Sequence, residues 1–207
     1  MIRTEAEFLR HRTPFTHHTV DKMIESADLA RLAAAPPAAE LYRRLVKQGS
    51  WHVKNYRAWL LTLFEHGERT PAAGLLSEPW TELLDDLLSP EFTAWASEGL
   101  DRDVTSLPVT VGVFRYGEGD HQTVHTAKAT KALHWVLHLN EDWRPSFGGE
   151  LHLWESESAA APALSIPPLG GTSVLFAPHA STWHSIGEVT AGGRFDRATV
   201  VLEYWQP

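Results

Sequence analysis

The stretch GDHQTVHTAK, Gly119 to Lys128, decides how the rest of the chain is read. It sets His121 and His125 four residues apart and follows the second with Thr126 and Ala127. Two histidines at that spacing can share one face of a helix, as in a zinc pair, yet the glutamate of the HExxH pattern is absent. The flanking residues read as strand and loop, which sets the helical zinc reading aside. The chain has no cysteine, so disulfides, thiolate nucleophiles, zinc knuckles and iron-sulfur clusters are excluded. Any metal here must sit on histidine and oxygen ligands.

Outward from this stretch the C-terminal half is rich in short β-type runs. LPVTVGVF (107–114), ALHWVLHLN (132–140), GGELHLW (148–154), GTSVLFAP (171–178), STWHSIGEV (181–189) and RATVVLEYW (197–205) combine Val, Leu, Thr and aromatics, each bounded by Gly, Pro, Asn or Asp. That spacing predicts a sandwich or barrel without βαβ alternation. Strand alternation puts His134, Val136 and His138 on one face, and Arg197, Thr199 and Val201 on one face. A buried arginine needs an anion, and its planar fork suits a carboxylate.

The first half reads as helical support. Residues 20–35, 38–49, 55–67 and 77–100 carry apolar residues at three- and four-residue spacing, with Gly49, Gly67 and Gly99 as stops and Ser89-Pro90 as a cap with a first-turn proline. The expected organisation is one domain over 1–207 of α+β class, with 1–104 mainly helical and 105–207 the β core. A net charge of -8 without a Lys/Arg block argues against nucleic acid and anionic membranes as partners. No apolar run approaches a membrane span and the start lacks a signal-peptide core, which predicts a cytoplasmic protein.

FRYGEGDHQTVHTA (114–127), LHLNEDWRPSFGGELHLWE (137–155), LFAPHASTWHSI (175–186) and RAT (197–199), in that order, resemble the iron(II)- and 2-oxoglutarate-dependent dioxygenases, in particular their prolyl-hydroxylase-like branch. The resemblance spans about Thr110 to Trp205 and implies a double-stranded β-helix, or jelly roll, with N-terminal supporting helices. It implies iron(II), 2-oxoglutarate and O2 as cofactors. By resemblance, His125 and His184 stand at the two histidine ligand positions, Arg197 pairs with the distal carboxylate of 2-oxoglutarate, and Thr199 is the small hydroxyl residue two positions on. His138 occupies a position where relatives place a tyrosine beside that arginine.

Ala127 is the departure, because the family motif is His-x-Asp and this chain reads His125-Thr126-Ala127. A facial triad of two histidines and a carboxylate leaves positions for cosubstrate and oxygen. Replacing the acid with alanine opens one more site and removes a negative charge, and a bound chloride repairs both. Family members with Ala or Gly there are halogenases, so the resemblance implies chlorination of an aliphatic carbon of a small molecule, amino-acid-like or tethered to a carrier. Two other outcomes stand beside it: a hydroxylase recruiting Asp120, Glu155 or water as third ligand, and a non-catalytic member. His134, His152 and His179 read as satisfied core or surface residues, and Trp135, Trp143 and Trp154 as packing residues. Arg194, after Gly192-Gly193, reads as a turn residue and WESESAAAPALSIPP (154–168) as a candidate lid.

Overall fold

A computed structural model describes residues 1–49, 54–128, 130–190 and 196–206. Its strands are β1 (Leu9–His11), β2 (His17–Val20), β3 (Arg43–Lys47), β4 (Tyr56–Glu65), β5 (Glu68–Arg69), β6 (Val109–Tyr116) and β7 (His121–Thr126), then β8 (Lys131–His138), β9 (Leu151–Trp154), β10 (Leu164–Ile166), β11 (Ser173–Phe176), β12 (Trp183–Ile186) and β13 (Arg197–Trp205). Three helices, α1 (Ser26–Ala34), α2 (Glu78–Leu87) and α3 (Pro90–Leu100), precede the main β region.

The strands form one curled, mostly antiparallel sheet in the order β1-β2-β11-β8-β13-β6-β4-β7-β12-β9-β10, with β3 and β5 also on β4. This is the double-stranded β-helix arrangement. Alternation sorts its residues into two cores. Leu133, Trp135 and Leu137 of β8 and Val200, Leu202 and Tyr204 of β13 pack on the helices, against Leu29, Leu32, Trp80, Leu84 and Phe92. The opposite parity faces the barrel interior, where Tyr116, Leu151, Leu153, Val174, Phe176 and Ile186 form the second cluster. His138, Arg197 and Thr199 belong to that inward parity and are buried.

Each of the six β-type runs contains a strand. Ser89 caps α3 by accepting from the Phe92 amide at 3.1 Å, with Pro90 in the first turn, an arrangement contributing about 1 kcal/mol. Gly99 lies inside α3 and does not end it.

The first half departs from the mainly helical expectation: β1, β2 and β5 are strands, and so are two of the runs read as helix. Residues 43–47 and 56–65 are strands, paired from Arg43↔Leu60 to Lys47↔Tyr56. Leu45-Val46 in the first and Trp59–Leu61 with Leu63-Phe64 in the second are short apolar runs, a pattern that helix and strand share. His66 (φ 55) and Gly67 (φ +81) are the two-residue turn of the hairpin that returns Glu68 to Glu65. Positive φ at both central positions suits the right-handed twist of the strands, and glycine adopts it without strain. The glycine read as a helix stop is therefore a hairpin turn residue. Tyr56 and Arg57 pair with β7, whereas Trp59 to Phe64 pair with β6, so β4 spans the seam between the two halves of the barrel.

Candidate active site

His125 on β7 and His184 on β12 are direct register partners. Their ring centroids lie 4.2 Å apart with the planes inclined at 55°. Each Nδ1 is anchored to the carbonyl two residues earlier: His125 to Thr123 O at 2.8 Å and His184 to Thr182 O at 2.9 Å. A carbonyl only accepts, so Nδ1 donates and Nε2 keeps its lone pair. Burial, helped by the charge of Lys54, pushes His125 down to about 3, and burial lowers His184 well below the usual imidazole range. Both rings are neutral at pH 7, the form that binds a metal. Because His121 and His125 lie on a strand, they are not a helical pair.

Arg197 opens β13 opposite Tyr116 of β6 and is 1% exposed. Its guanidinium lies 5.1 Å from the Tyr116 ring centroid. Nε and Nη2 have no hydrogen-bond partner among the described residues, and neither has either ring nitrogen of His138. Thr199 pairs in register with His138 across β13 and β8. Burial pulls Arg197 down to about 10, which leaves it charged at pH 7. Gly149 (φ +74) lets the backbone pass close, since a Cβ there would meet Arg197 Cδ at 2.9 Å. A buried cation with unsatisfied donors is costly unless an anion enters. The donor set fits a carboxylate.

Ala127 is the first residue past β7, half-buried and of His125's parity. Among the described residues no group of three His, Asp, Glu or Cys side chains is placed to hold a metal. Asp120 is 2% exposed and held by Arg44 through two hydrogen bonds of 2.6 Å, with the Gly117 amide at 3.1 Å. Glu155 is exposed just beyond β9.

One arrangement was missed from sequence. His134 lies beside the pair, its ring centroid 5.7 Å from that of His184, with Nδ1 donating to Glu203 Oε1 at 2.8 Å while Lys131 also binds Glu203. Burial disfavours the Glu203 charge, but the His134 hydrogen bond and the Lys131 charge outweigh it and bring the carboxyl down to about 2. His134 is thus satisfied, as read, but at the site rather than away from it. The parity already used for Arg197, Thr199 and Val201 continues to Glu203 and would have found this pair.

The remaining assignments divide simply. His152 Nδ1 meets Ser165 Oγ at 2.8 Å and His179 accepts from the Ser181 amide at 3.2 Å. Trp135 is fully buried against Phe92, Trp143 donates to Gly148 O at 2.8 Å and Trp154 to Ser185 Oγ at 2.9 Å. The expected lid, 154–168, contains the tip of the β9–β10 hairpin. Arg194 lies outside the described residues, and among those described no helix is long and apolar enough to cross a membrane.

Residues 111–205 match the 2OG-Fe(II) oxygenase superfamily. Comparison with curated protein sequences finds no match. Among solved structures, a Pseudomonas putida prolyl-4-hydroxylase is 16% identical with a TM-score of 0.58, covering 92% of each chain. A Trichoplax adhaerens prolyl hydroxylase, solved with a hypoxia inducible factor peptide, is 14% identical with a TM-score of 0.60 over 92% of this chain and 83% of that one. The non-heme alpha ketoglutarate dependent epimerase SnoN from nogalamycin biosynthesis is 15% identical with a TM-score of 0.57 over 92% and 80%. At these identities the likeness is one of fold, and that fold is shared by hydroxylases and an epimerase.

Proposed function

We propose that this chain, whose residues 111–205 match the 2OG-Fe(II) oxygenase superfamily, is an iron(II)- and 2-oxoglutarate-dependent halogenase acting on an aliphatic C–H bond of a small molecule. The observation that carries the oxygenase reading is the buried Arg197, whose Nε and Nη2 lack partners among the described residues, inside the barrel that also holds two anchored neutral histidines. His125 and His184 would hold iron(II) through Nε2. Arg197 would take the distal carboxylate of 2-oxoglutarate, with Thr199 and His138 beside it. Iron(II) with 2-oxoglutarate and O2 supplies the oxidising power to break the C–H bond.

The halogenase reading rests on Ala127. Its methyl group leaves room for a monatomic anion, and two neutral imidazoles leave the metal more positive than a triad with a carboxylate would. Asp120 is committed to Arg44 and Glu203 to His134 and Lys131, so neither is free to fill the gap. A second reading is hydroxylation with water in that position, which the fold-level likeness to two prolyl hydroxylases supports.

Product mass decides between them. Turnover in chloride, bromide and halide-free buffer should give chlorinated, brominated and little product, respectively. Hydroxylation at full rate without halide, with no halogenated product in its presence, would sink the halogenase reading. Ala127→Asp should fill the halide position and either switch the product to an alcohol or inactivate the enzyme. Crystals soaked in bromide with iron and 2-oxoglutarate should show anomalous density beside the Ala127 methyl.

A further inference from the structure

The chain has only five lysines, Lys22, Lys47, Lys54, Lys128 and Lys131. Four of them meet at one rim. Lys47 ends β3, paired with Tyr56, and Lys54 precedes that tyrosine by two residues with its ammonium 5.7 Å from the ring centroid. Asn55 next to it donates its amide to Thr123 Oγ1 and accepts from the Thr123 amide, and the Thr123 carbonyl anchors His125. On the other side, Lys128 and Lys131 stand 5.9 and 5.0 Å from the Trp205 ring centroid. Lys54 is close enough to the other three to feel their charge, and to depress His125, His134 and His184.

Among the described residues Glu203 offsets part of this charge, pairing with Lys131 and attracting Lys54. Among the described residues Lys47, Lys54 and Lys128 form no ion pair, and Glu203 is already shared between Lys131 and His134. Lys54 is half-buried. Its burial and the other lysines bring it down to about 8, so it remains charged at neutral pH. In a chain of net charge -8, gathering nearly all the lysines at one opening creates a local field of the opposite sign, which concentrates anions there. Tyr56 and Trp205 supply apolar walls against which a carbon chain can lie.

We propose that the reacting molecule carries an oxyanion, a carboxylate or a phosphate, held by Lys54 and Lys131 at the rim above the His125–His184 pair. This rests on the oxygenase reading above for the word reacting, while the anion site itself stands on the lysines. A substrate with an ammonium group at the same end is repelled. The carboxylate of an acid whose amino group is absent or at the far end, and the phosphate of a carrier's tether, satisfy the same chemistry.

The test is calorimetric titration of the full chain at pH 7 and low ionic strength with hexanoate, butyl phosphate and hexylammonium. At least one of the two oxyanions should bind at least tenfold more tightly to wild type than to Lys54→Met, Lys54→Gln or Lys131→Met, and equally to Lys22→Met. Arg197→Ala distinguishes the rim from the interior clamp and should leave that binding in place. Equal affinity in wild type and the Lys54 variants, loss confined to Arg197→Ala, binding of hexylammonium as tight as the oxyanions, or no binding of either oxyanion would each overturn the proposal. Iron(II) and 2-oxoglutarate binding are titrated separately on the same samples. Normal uptake of both with no oxyanion at the rim removes this inference alone; oxyanion binding at Lys54 with no uptake of either removes the oxygenase reading instead.

Discussion

At the Arg197 end of the barrel interior the guanidinium and His138 are buried with nitrogens that no described residue satisfies, whereas at the histidine pair each imidazole already has one nitrogen fixed by a carbonyl. The first region has the form of a receptor complete except for its anion. On the function proposed above, the second is a metal site that lacks one protein ligand, with Ala127 in the place of an acid. The same proposal assigns cosubstrate binding and reaction outcome to separate parts of the molecule. Substitutions should separate them.

The largest effect is expected at the pair. His125→Ala or His184→Ala should weaken iron(II) binding by about a hundredfold or more, since loss even of a residue supporting a ligand costs 10- to 100-fold. Calorimetry measures it, and an unchanged iron affinity in either variant would end the metal assignment. Next comes the other region: Arg197→Ala should cost about 2 to 5 kcal/mol in 2-oxoglutarate affinity. Arg197→Lys should restore only part of it, because a point charge lacks the planar fork. If iron affinity falls as far as cosubstrate affinity in Arg197→Ala, the two regions are not separable.

A smaller effect tests the frame that joins them. Asp120 is buried between Gly117 and Arg44, and Arg44→Ala leaves its carboxylate without its main partner. A loss of stability on the order of 2 kcal/mol follows, a Tm lower by about 4 to 8 °C, with iron affinity little altered.

The smallest effect is in pH. Burial holds folded His125 neutral down to about 3, while the unfolded chain protonates it near 6.5. Between those values the unfolded state binds more protons, so metal-free stability falls as pH drops below 6.5 and is flat above it. The slope from one such histidine reaches at most about 1.4 kcal/mol per pH unit. Urea midpoints between pH 7 and 5 should change less steeply in His125→Gln, and a parallel curve would show that the pair is not the source.

The sequence was most legible where chemistry and alternation coincide. Arg197, Thr199 and His138 fall on one parity of two strands and are buried together. His125 and His184, 59 positions apart in the chain, were paired through motif order, and the register now sets them opposite each other. It was least legible at Tyr56–Glu65, where Trp59, Leu60 and Leu61 follow one another and apolar periodicity has no phase to report. Strand β4 pairs with both β6 and β7, an arrangement that local propensity does not encode. His134 was read correctly as satisfied, but its neighbourhood depends on Glu203, which is 69 residues away.

The place of β2 in the sheet order has a consequence for how the protein is made. Val20 pairs with Ser173, so β2 leaves the ribosome about 150 residues before β11 exists. At roughly 5 to 20 residues per second that is a wait of about 8 to 30 s. For that time the edge of β2 that β11 will cover is open, and the barrel cannot close ahead of its own C-terminal third. Translation speed and chaperone occupancy over the first strands thus bear on the yield of active protein, through a window set by topology rather than by any residue of the site.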